Sequence, residues 1–213
     1  MKKKSFAVIG LGSFGRSIAN QLLDLHADVL LIDQSERRIN SFIDRANNAV
    51  ICDSTDERAM IDAGIKNISH AIVCIGNDIQ ASILTALILK DLEIPMITVK
   101  AQNEYHQKVL ERLGVNEVLR PETEMGRRLA KRIIRDSIIE IFELTDDYSY
   151  AEILLPPAFN GKSIMDLNVR QNYNINIVAL RRQGEIIIPD PLDPFQPHDQ
   201  LLVVGSNVAI SKL

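Results

Sequence analysis

The stretch Phe6-Ala-Val-Ile-Gly10-Leu-Gly12-Ser-Phe-Gly15-Arg16, followed by Val29-Leu-Leu-Ile-Asp33, joins an apolar strand, a glycine turn, a helix start and a second strand ending in an acid. Each residue type has a physical task there. Gly10 permits a tight turn off the strand, Gly12 lets backbone approach a phosphate, and Gly15 lets the helix pack on the sheet. The helix start offers unpaired N–H groups and a partial positive charge to an anion. Asp33 stands where a carboxylate accepts hydrogen bonds from ribose hydroxyls and repels a 2′-phosphate, which disfavours NADP. Strand, turn, helix and acid together predict a nucleotide-binding Rossmann unit, with Ser13, Phe14 and Gln34 lining the same pocket.

Working outward, 213 residues leave room for one full domain and a smaller second one, and 46% hydrophobic residues suffice for a core. The 24 basic and 28 acidic residues are intermixed and sum to −4, so no global basic field exists and nucleic acid is not expected as a partner. No apolar run approaches the ~20 residues of a membrane span. The Met1-Lys-Lys-Lys start leads into the glycine turn rather than an apolar signal segment, and Cys52 and Cys74 lie far from any paired spacing, so a cytoplasmic chain with reduced core thiols is expected.

Apolar, β-branched runs at 6–9, 29–32, 49–51, 71–75, 94–99 and 118–119 alternate with helical segments at 13–26, 35–46, 56–63, 78–91 and 104–113. That alternation predicts a doubly wound parallel sheet. A further helix starts at Pro121, with Glu122 and Glu124 in its first turn. Its basic residues Arg127, Arg128, Lys131, Arg132 and Arg135 read as a solvated face, opposite an apolar stripe of Leu129, Ile133, Ile134, Ile138 and Ile141. Short strands at 150–154, 175–180, 185–188 and 201–204 then predict a small α+β domain. The expected division is 1–135 for the Rossmann domain and 136–213 for linker and second domain.

Around the pocket, Arg16 and Lys100 could aim cations at one phosphate chain, which suits ADP or ATP. Glu122 could hold a cation, since hard ions prefer carboxylate oxygens. Asp53 and Ser54 close the third strand at the adenine or ribose edge. The plainer alternatives are a solvated Arg16, a strand-end charge at Lys100 and a helix-dipole acid at Glu122. His26, His70, His106 and His198 are scattered without metal-ligand spacing, and Ser13 sits in no nucleophile elbow, so no enzyme activity is expected.

The glycine segment and Asp33, with Ile75-Gly-Asn-Asp-Ile-Gln80-Ala-Ser82, Thr98-Val-Lys-Ala-Gln-Asn103, Arg120-Pro-Glu122 and Asp166-Leu-Asn-Val-Arg170, resemble the cytosolic regulatory subunits of Ktr/Trk-type potassium-uptake systems. Those chains carry an RCK (KTN, TrkA-N) domain and a TrkA-C domain. The resemblance implies homodimers assembling into an octameric ring beneath a membrane-embedded potassium-translocating subunit, which the ring gates in response to ATP and ADP. It implies phosphate contacts from Gly10, Gly12, Gly15, Arg16 and Lys100, ribose contacts from Asp33, and a divalent or monovalent cation on Glu122 near the γ-phosphate. It also implies cyclic di-AMP at the dimer interface of the second domain, held by Ile164, Arg170, Ile175 and Asn176, with Pro189 as an apolar wall. The chain differs from the family pattern at Cys52, often glycine, and at His198, and a short or absent closing helix is expected. An NAD(H)-binding redox-sensing regulator and an NAD-dependent oxidoreductase are the alternatives.

Overall fold

The computed structural model describes residues 4–46, 48–134 and 136–213. Met1 to Lys3 and Arg135 of the basic cluster lie outside them. The chain divides into two compact units, the first closing at Pro121 and the second opening at Glu122.

The first unit runs β1 (Ser5–Ile9), α1 (Ser13–Asp24), β2 (Asp28–Asp33), α2 (Glu36–Asn40), β3 (Asn48–Ile51), α3 (Glu57–Asp62), β4 (His70–Val73), α4 (Ile79–Asp91), β5 (Met96–Lys100), α5 (Glu104–Leu113) and β6 (Glu117–Leu119). The six strands are parallel in the order β3-β2-β1-β4-β5-β6. Consecutive strands therefore run outward from β1 in one direction and then from β4 in the other, and the reversal opens a crevice between β1 and β4 at their carboxyl ends. Alternate residues feed two cores, one with Ile9, Ile32, Val73 and Ile97 packed under Met60, Leu89 and Leu110, the other with Val8, Leu31 and Ile72 under Ala19, Ile39 and Phe42. Burying one such aliphatic side chain contributes roughly 1.5–3 kcal/mol. Helix α2 ends at Asn40, short of the expected 46, because turns follow it.

The second unit holds α6 (Pro121–Ile133), β7 (Ile138–Glu143), β8 (Tyr148–Leu154), α7 (Ile164–Leu167), α8 (Val169–Tyr173), β9 (Ile175–Arg182), β10 (Glu185–Ile187), β11 (Gln200–Ser206) and a short closing helix, α9 (Asn207–Ile210). Its five strands are antiparallel, in the order β10-β9-β11-β8-β7. One face of that sheet buries Ile153, Ile175, Leu201 and Val203 with Phe159 and Phe195.

Two expectations about the connecting helix are corrected. It does not run on to Ile141: Ile138 and Ile141 belong to β7, where a register shift between Ile138 and Glu140 lets both residues reach the second core. Nor is its basic face merely solvated. Arg128 donates to Glu140 at 2.9 Å and lies 4.1 Å from the centre of the Phe142 ring, while Arg132 and Lys131 pair with Glu140 and Glu143. The Arg128 hydrogen bond holds the Glu140 carboxyl below its ordinary range. Met125, Leu129 and Ile133 are left exposed on the same helix. These ion pairs join α6 to β7 within the unit that opens at Glu122.

Candidate functional site: the glycine turn and its acid

Gly10 leaves β1 at φ +90°, a backbone conformation that L side chains rarely adopt. A Cβ on Gly15 would sit 1.9 Å from the Gly10 carbonyl oxygen, so the first turn of α1 lies directly on the turn that precedes it. Gly12 differs from both, since a Cβ there meets nothing within 4 Å. The open side of the turn is therefore at Gly12, immediately before α1. Among the described residues no side chain caps α1, whereas Asp56, Asp78 and Asn103 accept backbone N–H bonds at the starts of α3, α4 and α5. The N–H groups and positive dipole end of α1 are thus available to an anion, and Ser13 and Arg16 are exposed in its first turn.

Asp33 is tied directly to this turn. Its carboxylate, 3% exposed, accepts the Leu11 N–H on Oδ2 at 2.6 Å and the Ser35 N–H on Oδ1 at 2.8 Å. The two strand-end turns become one piece through these bonds. Arg38 of α2 adds a guanidinium contact to Oδ2 at 3.1 Å. Sequence reasoning missed Arg38, although a cation in the helix that follows the acid was there to be read. Gln34 is exposed beside the acid.

Across the crevice, the Lys100 ammonium at the end of β5 lies 5.5 Å from the centre of the Phe14 ring and 3.9 Å from where a Cβ on Gly76 would stand. Lys100 thereby stands beside Phe14 at the start of α1. Gln102, which the sequence did not single out, donates to the Gly76 carbonyl at 2.6 Å and holds the turn after β4. Cys74 is buried between these turns, and burial pushes its thiol up to about 12, so it is not a nucleophile near neutral pH. Cys52 is likewise a free, buried thiol raised by burial.

At the β3 end the expected contacts separate. Asp53 is exposed, and its carboxylate accepts the Thr55 N–H and hydroxyl, which hold it below its ordinary range. The Ser54 hydroxyl is buried in a 2.8 Å bond to Thr85, so it faces the α4 core rather than a ligand.

In the second unit Arg170 and Asn176 are exposed, Ile164 and Pro189 half-buried, and Ile175 only 1% exposed. The expected apolar wall at Ile175 is corrected: its side chain turns into the core of the second unit and offers no exposed apolar surface. Glu122 lies in the first turn of α6. Among the described residues no group of three or more His, Cys, Asp and Glu gathers to hold a metal ion, and no helix is long and apolar enough to cross a membrane.

A six-stranded parallel sheet whose glycine turn is bonded to the acid at the end of β2, followed by a small antiparallel α+β unit, defines a Rossmann-like chain with a second, smaller domain. Residues 6–121 match the TrkA-N domain and residues 150–213 the TrkA-C domain, and the chain belongs to the Ktr/Trk potassium-uptake family built from that pair. It is 43% identical over 211 residues to Ktr system potassium uptake protein C of Bacillus subtilis (strain 168), covering 99% of this chain and 96% of that protein. With Ktr system potassium uptake protein A of the same organism it shares 41% identity over 213 residues, covering 100% and 96%. Among solved structures, the GsuK channel bound to NAD has the same fold at a TM-score of 0.55 and 23% identity; this chain is covered completely but spans 38% of that chain.

Proposed function

We propose that this chain is the cytoplasmic gating subunit of a potassium-uptake system, a nucleotide switch and not a catalyst. The observation that carries the proposal is the 2.6 Å bond from the Leu11 N–H to Asp33, which makes the glycine turn and the ribose acid one rigid cradle beside an uncapped helix start. Gly12 and the first N–H groups of α1 hold phosphate, Arg16 and Lys100 supply the countercharge, and Asp33, Gln34 and Asp53 hold the nucleoside side. ATP and ADP switch the protein only through a difference in affinity for two conformations, and the γ-phosphate is the group that makes the difference. Glu122 is the carboxylate proposed to hold a cation in that switch.

The potassium-translocating membrane partner is supported by nearly full-length similarity to two Ktr system potassium uptake proteins. Homodimers, proposed to assemble further into an octameric ring, are supported as pairs by the exposed Met125, Leu129 and Ile133 on α6, whose Arg128, Lys131 and Arg132 are already paired within their own unit. Cyclic di-AMP is proposed for the second unit, with Arg170 and Asn176 as donors and Ile164 and Pro189 as apolar contacts. A two-fold symmetric dinucleotide suits a dimer that presents each donor twice. The NAD(H) alternative draws on the Rossmann cradle alone.

Calorimetry on the full chain with ATP, ADP, NADP and cyclic di-AMP, alongside potassium flux in vesicles carrying the membrane partner, tests the proposal. The expected result is ATP and ADP binding tighter than NADP, ATP-dependent flux that Glu122→Gln weakens, and at least about a tenfold loss of cyclic di-AMP affinity in Arg170→Ala, or ~1.4 kcal/mol. NAD(H) binding with no response to ATP or ADP would replace the switch by a redox sensor.

A further inference from the structure

In Rossmann folds an acid at the end of the second strand takes the ribose 2′-hydroxyl, while a nearby arginine accommodates a 2′-phosphate. This chain has both, and they are in contact. Asp33 Oδ2 accepts the Leu11 N–H at 2.6 Å and Arg38 Nη1 at 3.1 Å, and Oδ1 accepts the Ser35 N–H at 2.8 Å. A carboxylate offers about four lone-pair positions, so Oδ2 is filled and Oδ1 has one left. A ribose diol that uses both oxygens has to take over one occupied position.

The three donors are not equally movable. Leu11 and Ser35 donate from backbone, in turns anchored by β1 and β2. Among the described residues Arg38 is the one side-chain donor, and its side chain is 39% exposed. The long stem lets the guanidinium leave Oδ2 and stay at the ribose edge, where its planar array of N–H donors matches a phosphate. We propose that Arg38 is the specificity-determining residue at the ribose 2′ position: its cation offsets the charge of Asp33, so the pocket discriminates against a 2′-phosphate far less than the carboxylate alone would. This role presupposes the nucleotide pocket proposed above.

The test is titration of the full chain with ADP and with 2′-phospho-ADP, which differ only at the ribose. In the wild type ADP is expected to bind more tightly by less than about tenfold, or ~1.4 kcal/mol. Arg38→Gln should widen that preference by a further factor of about ten, through loss of 2′-phospho-ADP affinity and with ADP affinity held or improved. Arg38→Lys, which keeps the charge, should stay near the wild-type ratio. An Arg38→Gln ratio within about twofold of wild type, or Arg38→Lys widening it as far as Arg38→Gln, would overturn the proposal. If Arg38→Gln fails to fold, Asp33→Asn decides: with Arg38 retained and the acid neutralised, 2′-phospho-ADP must bind at least as tightly as ADP, and a persistent preference for ADP would overturn it. Failure of the wild type to bind ADP at all is a different result, which removes the pocket itself.

Discussion

Asp33 in the first unit and Asp199 in the second are both buried, 3% and 1% exposed, and both take an arginine together with backbone N–H groups. Their arginines are held differently. Arg182 grips Asp199 with two nitrogens, Nε to Oδ1 at 2.8 Å and Nη2 to Oδ2 at 2.7 Å, while the Gln196 N–H adds a third bond. This pair closes the turn into β11 against the end of β9 and holds the Asp199 carboxyl below its ordinary range, first through the Arg182 hydrogen bond. Arg38 touches Asp33 with one nitrogen, at the open carboxyl end of a parallel sheet. Similar chemistry therefore serves as a clamp where the arginine grips both carboxylate oxygens at once, and as an exchangeable contact where a more exposed arginine touches only one.

The largest expected effect breaks the two pairs in turn. Arg182→Ala leaves a buried carboxylate without its countercharge and should destabilise the second unit by about 3–5 kcal/mol. Arg38→Ala, removing a partly exposed single contact, should change the stability of the first unit by about 1 kcal/mol or less. Denaturant unfolding of the full chain, with probes in each unit, measures both, and equal losses would erase the contrast. Next in size is Gly12→Asp. It places a carboxylate where a phosphate is proposed to lie, and ADP affinity should fall at least a hundredfold, ~2.7 kcal/mol, on calorimetry. The melting temperature should hold, because a Cβ at this position meets no atom within 4 Å.

The smallest effect sharpens the comparison through pH. Because the Asp199 pKa is depressed in the folded chain, its contribution to stability is fully present above the unfolded value of about 3.9 and is lost as pH falls through the lower folded value. Acid titration followed by second-unit unfolding should show that loss below about pH 4, and Asp199→Asn, though less stable at neutral pH, should flatten it. An unchanged acid limb in Asp199→Asn would assign the loss to other carboxylates.

The parallel sheet and its glycine turn were legible in the sequence because their signals are local. A strand buried on both faces reads as an unbroken apolar run, and Gly10 and Gly15 stand where φ and close packing exclude a side chain. The second unit was less legible. Strand β7 hid behind Ile138 and Ile141, whose spacing of three fits a continuing helix, and only its pairing with β8, with a register shift between Ile138 and Glu140, puts both inside a strand. Ile175 and Asn176 looked equivalent as ligand contacts until the register of β9 on β11 sent one inward and the other out.

By itself, the sequence determined the Rossmann architecture of the first unit, the place of the phosphate-type turn and the acid at the end of β2, since each depends on residues a few positions apart along one strand or turn. Tertiary structure alone decided that Arg38 shares that acid with Leu11 and Ser35, that Ser54 turns to Thr85, and that the basic face of α6 pairs with Glu140 and Glu143. Those outcomes depend on which charges and donors packing brings within about 3–4 Å, and a distance between elements is not written in the spacing of residues along the chain.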